Sequence, residues 1–374
     1  MLNFLKLEPE SFGLDFSDLC LRLAKLEKKK NFYRLVSFAQ MPLKPGIIEG
    51  GIIKKEDALA NAIRTLLSRT KGKKIKTKMV VASLPENKVF FQVIKMPKMG
   101  IEELKTAVPF ESENYIPLSI EEVYLDFQVL PSFQPDPKHI DVLISAMPRK
   151  IVDSYISAIK KSGLYPRVLE PESQAIIRAL IKNQVSYSPL LIVDFGRSNT
   201  HLIFFSGYSV KLTTSLPFSS QRITDAISQN LKIKTTEAEK LKKEIGLIGK
   251  EKKNLRLSSK EKKVIKITKE VLKNLVGQIE KYIDYYQTHI NSNNQRTPGQ
   301  IKIEKIILCG GGSNLKGLTD FLSLKLNIPT ELGNPWINIL PSPLKELPPL
   351  SFEESLGFTS ALGLALRAVR KEYD

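Results

Sequence analysis

A short apolar strand that ends in aspartate occurs twice in this chain, and that repetition limits the fold more than any other feature of the sequence. Leu14-Asp15-Phe16 stands at the first hairpin of the N-terminal half and Val193-Asp194-Phe195 at the first hairpin of the second half. Around the first, residues 12–16, 19–26 and 32–38 read as three strands joined by polar turns. Around the second, 190–195, 201–205 and 209–215 repeat the layout, and in both halves helix and strand patterns follow. Two copies of a three-strand meander predict an α/β chain of two similar lobes. Each lobe has a mixed sheet, and the two face one another across a cleft to which each presents its aspartate turn. A chain of 374 residues also exceeds what one core accommodates.

The second hairpin carries more chemistry than the first. Four apolar residues lead to Asp194, Gly196 permits a tight turn, and Arg197, Ser198, Asn199 and Thr200 follow before the next apolar run. Such a tip can aim backbone N–H groups and hydroxyls at a phosphate, and a carboxylate at a strand end can hold the water shell of Mg²⁺. The same residues also read as an ordinary surface Asp-x-Gly turn. Residues 305–309 form a further apolar strand that runs into Gly310-Gly311-Gly312-Ser313-Asn314, predicted to open directly into a helix over 315–326. Without Cβ atoms that backbone can approach a ligand closely, or Ser313 or Asn314 can cap the helix instead.

The expected division is lobe I over 1–84 and 148–185, a small strand-helix-strand-strand insert over 85–147, and lobe II over 186–374 with a lysine-rich helical insertion about 232–263. The formal charge of +18 is concentrated in 25–30, 71–78 and 232–273 and points to solvated lysine faces or an anionic membrane surface. Aromatic residues are nearly absent from the last of these and no nucleic-acid-binding motif is present, so nucleic acid is not expected as a partner. Cys20 and Cys309 lie in separate apolar runs and read as buried free thiols. No apolar run reaches the length of a membrane span and no leader is recognisable, which predicts a cytosolic protein.

The duplicated aspartate turns and the strand that opens through three glycines resemble the actin, sugar kinase and Hsp70 ATPase superfamily. Within it the chain resembles the PilM family of type IV pilus assembly proteins, relatives of the division protein FtsA. The matching segments are Phe12-Gly-Leu-Asp, Tyr115-Ile-Pro, Leu125-Asp-Phe-Gln-Val-Leu, Glu172-Ser-Gln-Ala, Val193-Asp-Phe-Gly, Glu237-Ala-Glu-Lys-Leu-Lys, Tyr282-Ile-Asp-Tyr-Tyr, the run 307–318, Gly333-Asn-Pro-Trp and Leu362-Gly-Leu-Ala-Leu-Arg. The resemblance implies a two-lobed actin-like, duplicated ribonuclease-H-like fold with an SHS2-like insert in the first lobe. It also implies ATP with Mg²⁺ between the lobes. Gly196, Arg197, Ser198, Asn199 and Thr200 would cradle phosphates, and Asp15 and Asp194 would lie near the metal, through water. Gly310, Gly311, Gly312 and Ser313 would line the nucleoside, Glu239 and Lys242 would reach ribose or base, and Glu170 or Glu172 would orient the attacking water.

As partners the resemblance implies the N-terminal tail of a PilN-like inner-membrane protein and other pilus inner-membrane assembly proteins, at the inner face of the cytoplasmic membrane, with self-association as a further expectation. The tail would pair with an insert strand around Val89, Phe91, Val93, Tyr115 and Ile116, residues that also read as insert core. Departures from the family's pattern bear on activity. The first turn reads Asp15-Phe-Ser-Asp-Leu-Cys-Leu-Arg22, without the usual glycine and hydroxyl run, and Asp18 adds negative charge there. Ser219-Ser220 replaces a usual Gly-Gly. At most a weak ATPase is expected, and a nucleotide-free pseudo-ATPase scaffold, an FtsA-like division protein and a sugar or acyl kinase of the same superfamily are the alternatives.

Overall fold

The computed structural model describes residues 10–132, 136–247, 257–290, 302–341, 343–344 and 346–371. The chain divides into two compact units, 1–184 with 334–351 and 358–374, and 185–333 with 352–357.

In the first unit, β1 (Ser11–Ser17), β2 (Cys20–Lys28) and β3 (Tyr33–Pro42) form the antiparallel meander. A two-stranded ribbon of β4 (Ile48–Glu49) and β5 (Ile52–Ile53) leads to helix α1 (Glu56–Ser68), whose Leu59, Ile63 and Leu66 recur at helical spacing and are buried. Strand β6 (Lys71–Gly72) extends the β3 edge, and β7 (Met79–Leu84), apolar along most of its length, enters parallel to β1.

The chain then leaves this sheet for a separate one. Strand β8 (Phe90–Pro97), helix α2 (Ile101–Ser112), strand β9 (Val123–Val129) and strand β10 (His139–Pro148) make a three-stranded antiparallel sheet in the order β8-β10-β9. Ile94, Met96, Leu104, Val108, Val142 and Ile144 form its core. Helix α3 (Arg149–Lys161), strand β11 (Tyr165–Pro171) and helix α4 (Glu172–Leu180) return to the main sheet, ordered β11-β7-β1-β2-β3-β6.

The second unit repeats the plan. Strands β12 (Ser186–Phe195), β13 (Thr200–Gly207) and β14 (Ser209–Leu216) are the second meander, followed by helices α5 (Ser220–Leu231), α6 (Thr235–Ile245) and α7 (Ser259–Tyr285). Ser258 and Glu261 close a reciprocal capping box at the start of α7, which stops that helix from fraying into the lysine-rich stretch before it. Part of that stretch, 248–256, lies outside the described residues. Strand β15 (Lys305–Cys309), helix α8 (Leu318–Leu326) and strand β16 (Thr330–Leu332) complete the sheet β14-β13-β12-β15-β16, and a short helix α9 (Phe352–Gly357) joins the same unit. In both units the first strand pairs antiparallel with the second and parallel with a later strand, which itself pairs parallel with the last. The duplication read in the sequence is a duplication of topology.

The expectation that everything after 186 belongs to the second lobe needs correction. Helix α10 (Thr359–Arg370) and the segment 334–351 are part of the first unit. The helix is apolar nearly all round, as a helix covered on several sides must be. It lies directly on β1 because Gly13 has no Cβ; one built there would stand 2.6 Å from the Ala361 carbonyl oxygen and 2.6 Å from the Ala365 nitrogen. The triple-glycine strand also differs from expectation. Gly311–Asn314 is a short 3₁₀ turn, and α8 begins only after Gly317, whose φ of 78° breaks the two apart.

Among the described residues no helix is long and apolar enough to cross a membrane, and both cysteines are buried and in no disulfide.

Candidate functional site

In the second unit the tip between β12 and β13 is shaped by one hydrogen bond and two helix contacts. The Gly196 N–H donates to the Asn199 carbonyl at 3.0 Å, and a Cβ on Gly196 would lie 2.7 Å from that oxygen. The turn's carbonyls face α5: Ser220 N–H donates to Gly196 O at 3.1 Å and Gln221 N–H to Arg197 O at 3.4 Å. With the carbonyls turned to the helix, the backbone N–H groups of Arg197, Ser198 and Asn199 donate to no acceptor among the described residues. Consecutive N–H groups of this kind form a concavity suited to an anion. Thr200 does not contribute its hydroxyl, which is fully buried and donates to the Phe218 carbonyl at 2.8 Å.

The glycine turn after β15 packs against the same strand end. A Cβ at Gly310 would meet Asp194 Oδ1 at 2.3 Å, and one at Gly312 would meet the Phe195 carbonyl at 2.7 Å. These two glycines are therefore required by the chain's own close packing. Gly311 differs: it is exposed and a Cβ there would meet nothing within 4 Å. Ser313 is buried, and its hydroxyl donates to the Cys309 carbonyl. Burial, and next the neighbouring Asp194 carboxylate, push the Cys309 thiol well above its usual range.

Glu239 and Lys242, one turn apart on α6, form a buried-edge network. Lys242 Nζ lies 2.7 Å from Glu239 Oε2, and it donates to the Thr224 hydroxyl at 2.9 Å and the Ser220 carbonyl at 3.1 Å. Thr224 in turn donates to Glu239 at 2.6 Å. Burial lowers the pKa of Lys242 against the pull of its partner. For Glu239 burial acts upward, but the bonds from Lys242 and Thr224 outweigh it and leave the carboxyl below its ordinary value. The network ties α6 to the first turn of α5, one turn from the anion-shaped tip.

The first unit's hairpin is arranged differently. Asp15 is 4% exposed, accepts from the Ser83 hydroxyl at 3.1 Å and faces the Arg22 guanidinium at 3.6 Å. Asp18 does not point into open space but accepts from the N–H groups of Gly50 and Gly51 at 2.8 and 3.0 Å. Beneath the hairpin Tyr155 packs edge-on to Phe16, and its hydroxyl donates to the Gly51 carbonyl. Burial first, then the charges of Glu172, Asp18 and Asp15, push the Tyr155 phenol far up. No group of three or more side chains that could hold a metal ion is found among the described residues.

Glu170 ends β11 with both oxygens engaged. Arg178 donates to Oε1 at 2.6 Å and to Oε2 at 2.9 Å, and Arg367 of α10 donates to Oε2 at 2.6 Å. Burial would raise this carboxyl, but the two guanidiniums, Arg178 first, hold it below the ordinary range. Glu172, two residues on at the start of α4, is nearly buried.

On the insert, Ile116 is core and Val89 packs partly against the core of the main sheet, whereas Tyr115 is 41% exposed. Phe91 and Val93 alternate with the core residues Ile94 and Met96 and stand half-buried on the opposite face of β8. Arg22, Ser83, Arg178, Arg367 and Thr224 were not singled out from the sequence. The one local signal was Arg178 on the helix that starts two residues after Glu170; the others come together only through the fold.

Two units of one mixed-sheet topology, each with an aspartate at the end of its first strand, define an actin-like ATPase fold. Solved structures agree. A PilM-PilN type IV pilus biogenesis complex matches with a TM-score of 0.76 at 25% identity, over 96% of this chain and 99% of that one. The ethanolamine utilization protein EutJ of Carboxydothermus hydrogenoformans matches at 0.54 and 13% identity, over 96% and 90%. MreB5 of Spiroplasma citri bound to AMPPNP matches at 0.53 and 12%, over 97% of each chain. Residues 13–369 match the type IV pilus assembly protein PilM family, and the chain belongs to it.

Proposed function

We propose that this chain is a pilus-assembly adaptor that works at the inner face of the cytoplasmic membrane. It takes the N-terminal tail of a PilN-like membrane protein on its insert and a nucleotide at the β12–β13 tip. The observation that carries the partner half is β8: an edge strand with Phe91 and Val93 half-buried on its outer face, in a chain that aligns end to end with the PilM of a PilM-PilN complex. An extended tail can add to that edge by main-chain hydrogen bonds and seat alternate apolar side chains against Phe91 and Val93.

The nucleotide half rests on the second unit. The N–H groups of Arg197, Ser198 and Asn199 would receive phosphate oxygens, Asp194 at the end of β12 would hold the water shell of Mg²⁺, and exposed Gly311 leaves room for the nucleoside. Glu239 and Lys242 would border ribose or base, with Lys242 already anchored by Thr224 and Ser220. Bound Mg²⁺ would neutralise phosphate charge. Asp15 fits a metal poorly, because Arg22 and Ser83 already face its oxygens. Glu170 is likewise committed to two arginines and is not available to orient water. The reading is therefore of nucleotide as a conformational ligand with at most weak hydrolysis.

Calorimetry tests both halves. Titration with a synthetic PilN tail should give a complex that Val93→Glu weakens, and titration with ATP and Mg²⁺ should give binding that Asp194→Ala removes. Absence of a tail complex would reject the adaptor role; ATP affinity unchanged in Asp194→Ala would reject the tip as the phosphate site.

A further inference from the structure

Helix α7 buries Val264, Thr268, Leu272, Leu275 and Ile279 in the second unit's interior and leaves Lys262, Lys266, Lys269 and Lys273 exposed. Their spacing of four, three and four residues puts all four ammonium groups in one stripe, about 16 Å long at the rise of an α-helix. Like charges at these spacings repel and weaken a helix. Elsewhere in the unit some lysines are matched, Lys240 with Glu244, Lys242 with Glu239, Lys260 with Glu237 and Lys305 with Glu331, while others, Lys232, Lys234 and Lys281 among them, form no ion pair among the described residues. In the stripe only Lys273 has an acid, Glu270, and Lys262, Lys266 and Lys269 form no ion pair among the described residues. Beside the stripe lies a shallow open depression of about 280 Å³, lined by Leu257, Lys262, Ile265, Lys266, Lys269 and Glu270. It has an aliphatic floor, a cationic rim and one carboxylate.

We infer that this face of α7 is a docking surface for an anionic phospholipid bilayer, with headgroup phosphates on the lysine stripe and glycerol or first methylene groups over Leu257 and Ile265. Lysine suits that role, since its stem lies along apolar surface while the ammonium stays at headgroup level. A single-stranded nucleic acid is less well matched, because among the described residues no aromatic side chain or arginine lines the depression. An acidic peptide would find a helix face there and no strand edge on which to pair. The inference is independent of the nucleotide and tail sites.

Flotation of the full chain with phosphatidylcholine vesicles, with and without phosphatidylglycerol, tests it. Binding should require phosphatidylglycerol and weaken with salt. Each lysine removed should lower partition about fivefold, so Lys262→Gln/Lys266→Gln should bind about twenty-five-fold more weakly. Lys28→Gln/Lys30→Gln makes the same change of charge at the lysine-dense turn after β2 and should bind like the unaltered chain. Circular dichroism of the stripe variant should be unchanged, since removing like-charge repulsion does not disfavour the helix. Equal loss in both variants would reduce the effect to net charge and overturn the proposal. So would absence of vesicle binding, equal binding to phosphatidylcholine alone, or stripe-dependent binding to duplex DNA or polyglutamate stronger than to vesicles.

Discussion

Gly363 of α10 lies so close to Ala175 of α4 that a Cβ built on it would stand 1.8 Å from the Ala175 carbonyl oxygen. The obstacle is backbone, so it cannot turn aside as a flexible side chain would. Gly363→Ala should destabilise the chain by about 2–3 kcal/mol or more, the cost of overpacking a rigid contact. Gly311→Ala, at an exposed position with open space around it, should cost no more than about 0.5 kcal/mol. Urea unfolding of the two variants makes the comparison. Equal midpoints would mean that α10 does not bear on α4 as closely as described.

Glu170 contributes to stability on the acid side. Glu170→Gln leaves Arg178 and Arg367 buried or half-buried without their counter-charge and should cost about 3–5 kcal/mol. Because the folded-state pKa is depressed, the carboxylate's contribution is fully present above the unfolded value of about 4.3 and is lost as pH falls through the folded value. Stability of the unaltered chain should therefore decline on acidification more steeply than that of Glu170→Gln. Parallel pH profiles would show that the ion pairs do not form.

Tyr286 sets an alkaline limit. Its ring stacks on Phe204 with centroids 4.8 Å apart, and burial pushes its phenol up to about 12. A raised folded pKa makes this contribution complete below the unfolded value of about 10 and lost as pH rises from there through the folded one. Tyr286→Phe should remove that part of the alkaline decline, and phenolate absorbance should show one tyrosine fewer titrating late. An unchanged absorbance titration would place the late-titrating phenol elsewhere.

The two aspartates should separate under mutation. Asp194→Ala should lower affinity for ATP with Mg²⁺ by at least about tenfold while leaving the fold intact. Asp15→Ala should act mainly on stability, by about 1–3 kcal/mol, since it strips a buried hydroxyl and a guanidinium of their acceptor. The opposite pattern would return the metal to the first hairpin.

Much of the architecture was legible because it is periodic. The doubled meander and the strand-helix-strand-strand insert follow from alternating or helical spacing. What failed to show was long-range assembly. Nothing local in Thr359–Arg370 says that it crosses back to cover β1 and α4; only the missing Cβ atoms of Gly13, which faces α10, and of Gly363, which faces Ala175 of α4, record it. The candidate site divides in the same way. Gly196 and the residues after it were found by turn chemistry, whereas the pairing of Asp15 with Arg22 and of Glu170 with Arg367 depends on register and on a partner nearly two hundred positions away. Asp18 read as a stray negative charge at the hairpin tip; the fold instead gives it two backbone donors from Gly50 and Gly51.

The return of α10 to the first unit also orders events during synthesis. A ribosome delivers domains from the N-terminus, and most begin to fold as they emerge. Here β1 cannot be roofed until Thr359–Arg370 has left the exit tunnel, so the unit begun first is the one completed last. Until then the nascent chain carries β1 without α10 over it, and any premature stop upstream of Thr359 releases a product whose first unit lacks its own lid.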